Sequence, residues 1–191
     1  MLDEKGLVAA LKTAFKGGGY KAAFVEGKLL LRCGVWAVEM DEEYLMPKVL
    51  GVVTEHIGIV PRIPAAYFCQ KKMDPGSGVS LDEELDAWAA LGEKFEAAAT
   101  PIRRTRLLMD GYEIWQTGEG LRARPMDPDF TRIIDEEGIK MAFVRIEDGA
   151  PSKDIYFKGF AERAVICGVT YENNPGLARI EGFPWLGEGS A

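Results

Sequence analysis

The stretch RRTRLLMDGYEIWQTGEGLRARPMD, residues 103–127, decides the fold because it contains a strong signal for a tight hairpin. Asp110 and Gly111 stand between two runs of aliphatic and aromatic residues, and an Asp-Gly pair readily adopts the left-handed conformations that a two-residue hairpin turn requires. A third run, LRARPM, in which apolar residues alternate with arginines, follows the turn-rich segment TGEG. The stretch therefore predicts a three-stranded antiparallel meander.

The turn also predicts which residues lie opposite each other. Three pairs follow across the first hairpin: Met109 with Tyr112, Leu107 with Ile114, and Arg106 with Trp115. A four-residue loop over residues 117–120 adds two pairs on the third strand: Arg122 with Trp115, and Arg124 with Glu113. A three-residue loop would turn both of those arginines into the core, where an unpaired charge costs several kcal/mol. We therefore expect the four-residue loop, which keeps both arginines on the outer face.

The two faces of this predicted meander differ in chemistry. The inner face is apolar: Leu107, Met109, Tyr112, Ile114, Leu121 and Ala123. The outer face also carries Leu108 and provides six candidate partner-binding residues: Arg104, Arg106, Glu113, Trp115, Arg122 and Arg124. Guanidinium groups around an indole can stack on a base, grip a phosphate, or seat acidic and aromatic side chains of a protein. The alternative is a solvated face on which Glu113 pairs with an arginine and arginine stems shield Trp115.

The chain before this stretch predicts a helix, a hairpin, a second helix and a strand. The first helix covers residues 3–15 and ends at Gly17. The hairpin joins residues 20–25 to one long strand over residues 28–40, with its turn at Glu26 and Gly27. Pro47 begins the second helix and Gly58 ends it, and a strand around residues 63–73 follows.

The second half of the chain opens with a helix, because Ser80 and Glu83 form a capping box ahead of apolar residues at helical spacing. The meander comes next. Asp127 and Pro128 then begin a short helix that ends near Gly138. Three further strands are predicted over residues 139–146, 154–160 and 163–171.

The resulting order, αββαβ followed by αβββαβββ, predicts an α+β fold. Hairpins outnumber crossovers, so we expect mainly antiparallel sheets packed with about four helices. Residues 74–78, within the turn-rich sequence MDPGSG, form the one candidate junction. The expectation is a single α+β chain over residues 1–191, with two lobes, 1–73 and 79–191, as a further option.

Composition limits the class of protein. The formal net charge of -7 argues against general nucleic-acid coating, which depends on cationic neutralisation of phosphates. Arginine is nevertheless concentrated in the second half, which points to that half as the contact half. No apolar run approaches the ~18 residues of a membrane span and no signal peptide is evident, so a cytoplasmic protein without membrane contact is expected.

The reactive side chains are few. His56 is the only histidine, and the three cysteines, Cys33, Cys69 and Cys167, are far apart and contain no CxxC pair. This argues against zinc sites and disulfide frameworks. His56 falls in the last turn of its predicted helix, where the helix dipole would favour the charged imidazole. We name no catalytic residue, no metal ligand and no cofactor.

These features favour a non-enzymatic interaction protein that binds and regulates or inhibits a macromolecular partner. A nucleic-acid-handling protein is the favoured partner, by analogy with phage and mobile-element inhibitors, and the arginine face could also contact nucleic acid directly. The rival is a small carboxylate-based enzyme or metabolite-binding protein with its site between the two halves. A deep pocket lined by paired acids would favour the rival, and an exposed patch of apolar and arginine residues would favour binding.

Overall fold

A computed structural model describes residues 1–25, 27–73, 78–97, 99–117, 123–147 and 150–169. The helices are α1 (Glu4–Lys16), α2 (Pro47–Ile57), α3 (Leu81–Glu96) and the single turn α4 (Pro128–Thr131). The strands are β1 (Tyr20–Val25), β2 (Lys28–Arg32), β3 (Trp36–Asp41), β4 (Ala65–Cys69), β5 (Ala99–Met109), β6 (Tyr112–Thr117), β7 (Ala123–Met126), β8 (Met141–Glu147), β9 (Ala150–Lys158) and β10 (Glu162–Cys167). Two 3-10 turns lie at Glu42–Tyr44 and Glu136–Gly138.

The strands form one antiparallel sheet. Within the described ranges the order is β4-β1-β2-β3-β10-β9-β8-β5-β6-β7. This arrangement confirms the predicted α+β class with four helices. Strand β3, from the first predicted lobe, pairs with β10, from the second. The division into two lobes stays a prediction, and residues 74–77 of the proposed junction lie outside the described residues.

Helices cover both faces of the sheet. On one face, apolar side chains of α1 and α2 pack with alternate strand residues in the largest core cluster, for example Leu11 and Val53 with Leu31. On the other face, α3 places Trp88 and Phe95 over the sheet. This two-sided cover follows from strand alternation, because neighbouring strand residues point to opposite faces.

Several helix boundaries follow their sequence signals. The Asp3 side chain accepts the Gly6 amide at the start of α1, and Gly17 ends that helix. Gly58 caps α2 in the left-handed conformation, with φ 77°. The Ser80 hydroxyl accepts the Glu83 amide at the start of α3.

Two predicted elements are wrong. Residues 28–40 form two strands, β2 and β3, because the chain reverses at Gly34 and the Cys33 amide donates to the Trp36 carbonyl. The first half therefore reads αβββαβ. The helix begun by Pro128 ends after one turn at Thr131 rather than near Gly138, and a separate 3-10 turn follows.

A buried carboxylate joins α3 to the sheet. Glu84 is 1% exposed and accepts hydrogen bonds from Arg32 Nε at 2.6 Å and Lys21 Nζ at 2.6 Å. Burial would raise the pKa of Glu84, but the hydrogen bonds from Arg32 and Lys21 outweigh burial and lower it below the ordinary value. Glu84 is therefore ionised at neutral pH and ties the helix to β1 and β2.

Candidate functional site

The hairpin of β5 and β6 contains a bulge that the sequence did not predict. Met109 pairs with Tyr112 across the turn, as expected. Beyond Leu108 and Glu113 the register shifts, so that three residues of β5 lie opposite one residue of β6. Trp115 consequently pairs with Arg104, and the predicted pairing with Arg106 is wrong. The extra residues of a bulge bend the strand and re-aim its side chains.

Thr105 holds the bulge in place. Its hydroxyl donates to the Ile114 carbonyl at 2.7 Å and accepts the Leu107 amide at 3.2 Å. On the other side of β5, β8 pairs only with residues 99–101, so the bulged part lies beyond that ladder. The chain can therefore bend outward at Arg106 and Leu107.

Trp115 does not face solvent. It is 2% exposed, belongs to the largest core cluster and packs edge-to-face on Phe157, with 5.3 Å between ring centroids. The predicted outer position of Glu113 is also wrong, because this carboxylate is 7% exposed. The reason is that both faces of β6 are covered, so its alternating pattern does not separate core from solvent.

The arginines of the predicted face do not form one surface. Arg124 lies opposite Trp115 instead of Glu113, because the register of β7 differs by two residues from the expected one. Its half-buried guanidinium donates to the carbonyls of Ser152 and Ala123. Arg122 and most of the predicted loop lie outside the described residues. Arg104 and Arg106 alone of the four predicted arginines are seen to line a common feature.

That feature is a groove of about 520 Å³ beside the bulge, which we name the arginine groove. The residues that give it its chemistry are Arg104, Arg106, Leu107, Leu108, Glu113 and Glu136. Three of the six predicted partner-binding residues, Arg104, Arg106 and Glu113, are thus brought together. The groove lies between the bulged strand and the segment that contains α4 and the second 3-10 turn.

Arg104 is fixed at the inner wall of the groove. Its guanidinium forms ion pairs with Glu113 and Glu136, and Glu113 also accepts the Thr131 hydroxyl at 2.7 Å. Burial lowers the pKa of Arg104, but the hydrogen bond that Arg104 donates to Glu136 and the charge of Glu113 outweigh burial and raise it. Because its charge is matched by two carboxylates, Arg104 organises the groove rather than offering a free cation.

The rim of the groove is different. Arg106 is exposed and makes no ion pair with any residue in the described part of the chain. Leu108 beside it is 69% exposed and Leu107 is 37% exposed. An unpaired guanidinium next to exposed aliphatic side chains is typical of an interaction surface.

Three of the groove residues, Leu107, Leu108 and Glu136, are not among the predicted site residues. Glu136 belongs to the acidic run of residues 135–137, whereas the predicted meander has Leu107 on its inner face and Leu108 on its outer face without a binding role. The bulge explains why Leu107 lines the groove instead of facing the core. Nothing in the local sequence places Glu136 beside Arg104, because the contact depends on how the segment after α4 packs.

His56 has a structural position. Its ring stacks on Phe15, with centroids 3.8 Å apart, and Nδ1 lies 2.9 Å from the Tyr20 hydroxyl. Burial, with Cys69 as a second cause, raises the pKa of Tyr20, so its hydroxyl stays protonated and can donate to the neutral imidazole. Burial is also the main reason that the pKa of His56 is lowered, against a smaller raising effect of Glu55. The expectation of a favoured charged imidazole at the helix end is therefore wrong.

This environment gives a pH prediction. Because the folded protein holds His56 below the ordinary pKa of 6.5, the unfolded chain binds this proton first as the pH falls. The contribution of His56 to stability is therefore complete above about pH 7.5 and decreases as the pH falls through 6.5.

We expect the single imidazole to titrate in NMR spectra with a midpoint below 6.5. His56→Phe, which keeps a ring against Phe15, should lose less stability than the wild type between pH 7 and 5. A midpoint above 6.5 would contradict the prediction.

Comparison with protein-family models, curated proteins and solved structures finds no match for this chain. Among the residues described here, no helix has both the length and the apolar character needed to cross a membrane. Over the same ranges, no three histidine, cysteine, aspartate or glutamate side chains are grouped so that they could hold a metal ion.

Proposed function

We propose that the protein is a non-enzymatic interaction protein that binds and regulates or inhibits a protein partner through the arginine groove. The observation that carries the proposal is the exposed rim, where Arg106 has no ion pair within the described ranges and Leu108 is 69% exposed. Arginines at the centre of a contact often dominate its binding energy, and exposed apolar side chains beside them commonly mark interaction sites.

The charges of the groove favour a protein over a nucleic acid. Arg104 and Arg106 are balanced by Glu113 and Glu136. A phosphate chain would approach both carboxylates, whereas a protein can supply one carboxylate for Arg106 and one apolar side chain for Leu108. Polyanion binding depends on a net positive surface, which the described lining residues of this groove do not provide.

The chemistry of the rest of the surface favours a basic partner. The solvent-facing side of α3 carries exposed acidic residues: Asp82, Glu83, Asp86, Glu93 and Glu96. Together with the net charge of -7, they would speed encounter with a positively charged protein. Proteins that handle nucleic acids commonly present such basic surfaces, and they remain the proposed class of partner.

Affinity capture from the source cell with three baits tests the proposal. We expect the wild type to retain a protein that the double variant Arg106→Ala and Leu108→Ala loses, because loss of two central contacts weakens binding by about 2 kcal/mol or more, roughly 30-fold. The matched control is Val60→Ala with Arg62→Ala, which also removes one exposed aliphatic side chain and one exposed arginine, from the loop before β4.

The control bait should retain the same protein as the wild type. Equal capture by all three baits would show that the groove is not the contact. Loss of the captured protein after nuclease treatment would show that nucleic acid is the ligand, in contradiction to the proposed protein contact.

A further inference from the structure

A second cavity lies on the other face of the sheet, under α3. It has a volume of about 190 Å³ and is bounded by α3 and by the ends of β2, β3, β9 and β10. Strands from both halves of the chain therefore form it. Its walls are mainly apolar and aromatic: Trp88 and Leu91 come from α3, Tyr156 from β9 and Val165 from β10. We name this cavity the α3 cleft.

Among the described residues that line the α3 cleft, one cation has no ion-pair partner. Lys94 lines it and makes no ion pair or hydrogen bond with any residue that the structure describes. Arg32, the other cation of the wall, is engaged by the buried carboxylate of Glu84. Asp154 is the one carboxylate among the described lining residues, so the paired acids of a carboxylate-based enzyme are not found there.

The two thiols of the α3 cleft are held in the protonated form. Burial raises the pKa of Cys33. Burial and the neighbouring carboxylate of Asp154 raise the pKa of Cys167 to about 12. A thiol acts as a nucleophile through its thiolate form. Both thiols are therefore neutral at physiological pH and are poor nucleophiles. The arrangement therefore suits reversible binding rather than covalent chemistry.

We propose that the α3 cleft binds a small aromatic carboxylate, with its ring against Trp88 and Tyr156 and its carboxylate at Lys94. A cavity of about 150 Å³ is enough for one benzene ring, so the cleft has room for a single ring with a short acidic substituent. Aromatic walls with few polar groups are typical of small-molecule sites. A monoanion also fits better than a phosphate dianion, because Asp154 shares the cleft. This site is separate from the arginine groove and does not depend on its function.

Titration of the full chain with phenylacetate, followed through the indole N–H signals in NMR spectra, tests the proposal. Trp88 packs on the α3 side of the sheet and lines the cleft, so its signal should shift and saturate. Trp115 is buried in the core cluster on the opposite face, so its signal, assigned with Trp115→Phe, should not move.

Lys94→Met keeps most of the aliphatic stem and removes the charge, so it should weaken phenylacetate binding roughly 3- to 10-fold. The neutral analogue phenylacetamide should bind the wild type and Lys94→Met equally. The matched control, Lys158→Met, removes a lysine that pairs with Glu96 and does not line the cleft. It should bind phenylacetate as the wild type does. Absence of a saturable shift, or equal affinity of Lys94→Met and the wild type for phenylacetate, would overturn the proposal.

Discussion

Replacing Trp115 with alanine should lower the free energy of unfolding by about 3–5 kcal/mol, because a large core side chain is removed. Trp115 is 2% exposed and packs on Phe157. For a chain of this size the loss corresponds to a decrease in melting temperature of roughly 6–20 °C. Chemical denaturation followed by circular dichroism measures it directly.

Trp115→Phe is the matched control for this prediction. The indole Nε1 of Trp115 is buried, and no hydrogen-bond partner is found for it among the described residues. Phenylalanine keeps a ring against Phe157 and removes that unpaired donor, so its cost should be below about 1.5 kcal/mol. If Trp115 lay on the surface, alanine would change stability by no more than about 0.5 kcal/mol. That small effect would contradict the core position.

Replacing Glu84 with alanine should destabilise the fold by about 2–3 kcal/mol. The change leaves Arg32 and Lys21 without their shared carboxylate beneath α3. Loss of one partner of a buried ion pair typically costs 3–5 kcal/mol, and the figure is smaller here because both cations remain about one-third exposed. Glu93→Ala, at an exposed position of the same helix, should change stability by less than about 0.5 kcal/mol.

Glu84 should also contribute to acid unfolding. Its pKa is lower in the folded protein than in the unfolded chain, so its stabilising effect is present above the ordinary carboxyl pKa and is lost as the pH falls through the folded value. Glu84→Gln should therefore reduce the stability difference between pH 6 and pH 3. An unchanged acid dependence, or equal effects of Glu84→Ala and Glu93→Ala, would show that this carboxylate does not hold α3.

Local signals predicted much of the fold. The caps at Gly17, Gly58 and Ser80 mark helix ends because their chemistry is local. The Asp110-Gly111 turn correctly predicted the first pair of the hairpin, Met109 with Tyr112. Both turn residues have positive φ, as a two-residue hairpin turn requires. The reversal at Gly34 was missed because a single glycine within an apolar run is also compatible with a continuous strand.

The candidate site was predicted only in part, for long-range reasons. The bulge depends on bonds of the Thr105 hydroxyl across the hairpin, and one extra bulged segment changes which arginine lies opposite Trp115. The burial of Trp115 depends on partners such as Phe157, more than forty positions later in the chain. Strand alternation predicts two faces, but it does not show which of them the rest of the molecule covers.

The most direct test of the arginine groove as the contact surface is the affinity of the purified captured protein for three chains, measured by calorimetry. These are the wild type, the groove variant Arg106→Ala with Leu108→Ala, and the control variant Val60→Ala with Arg62→Ala. We predict that the groove variant binds roughly 30-fold more weakly, while the control stays within about twofold of the wild type and all three unfold at similar temperatures. Equal affinity of the groove variant and the wild type would contradict the account.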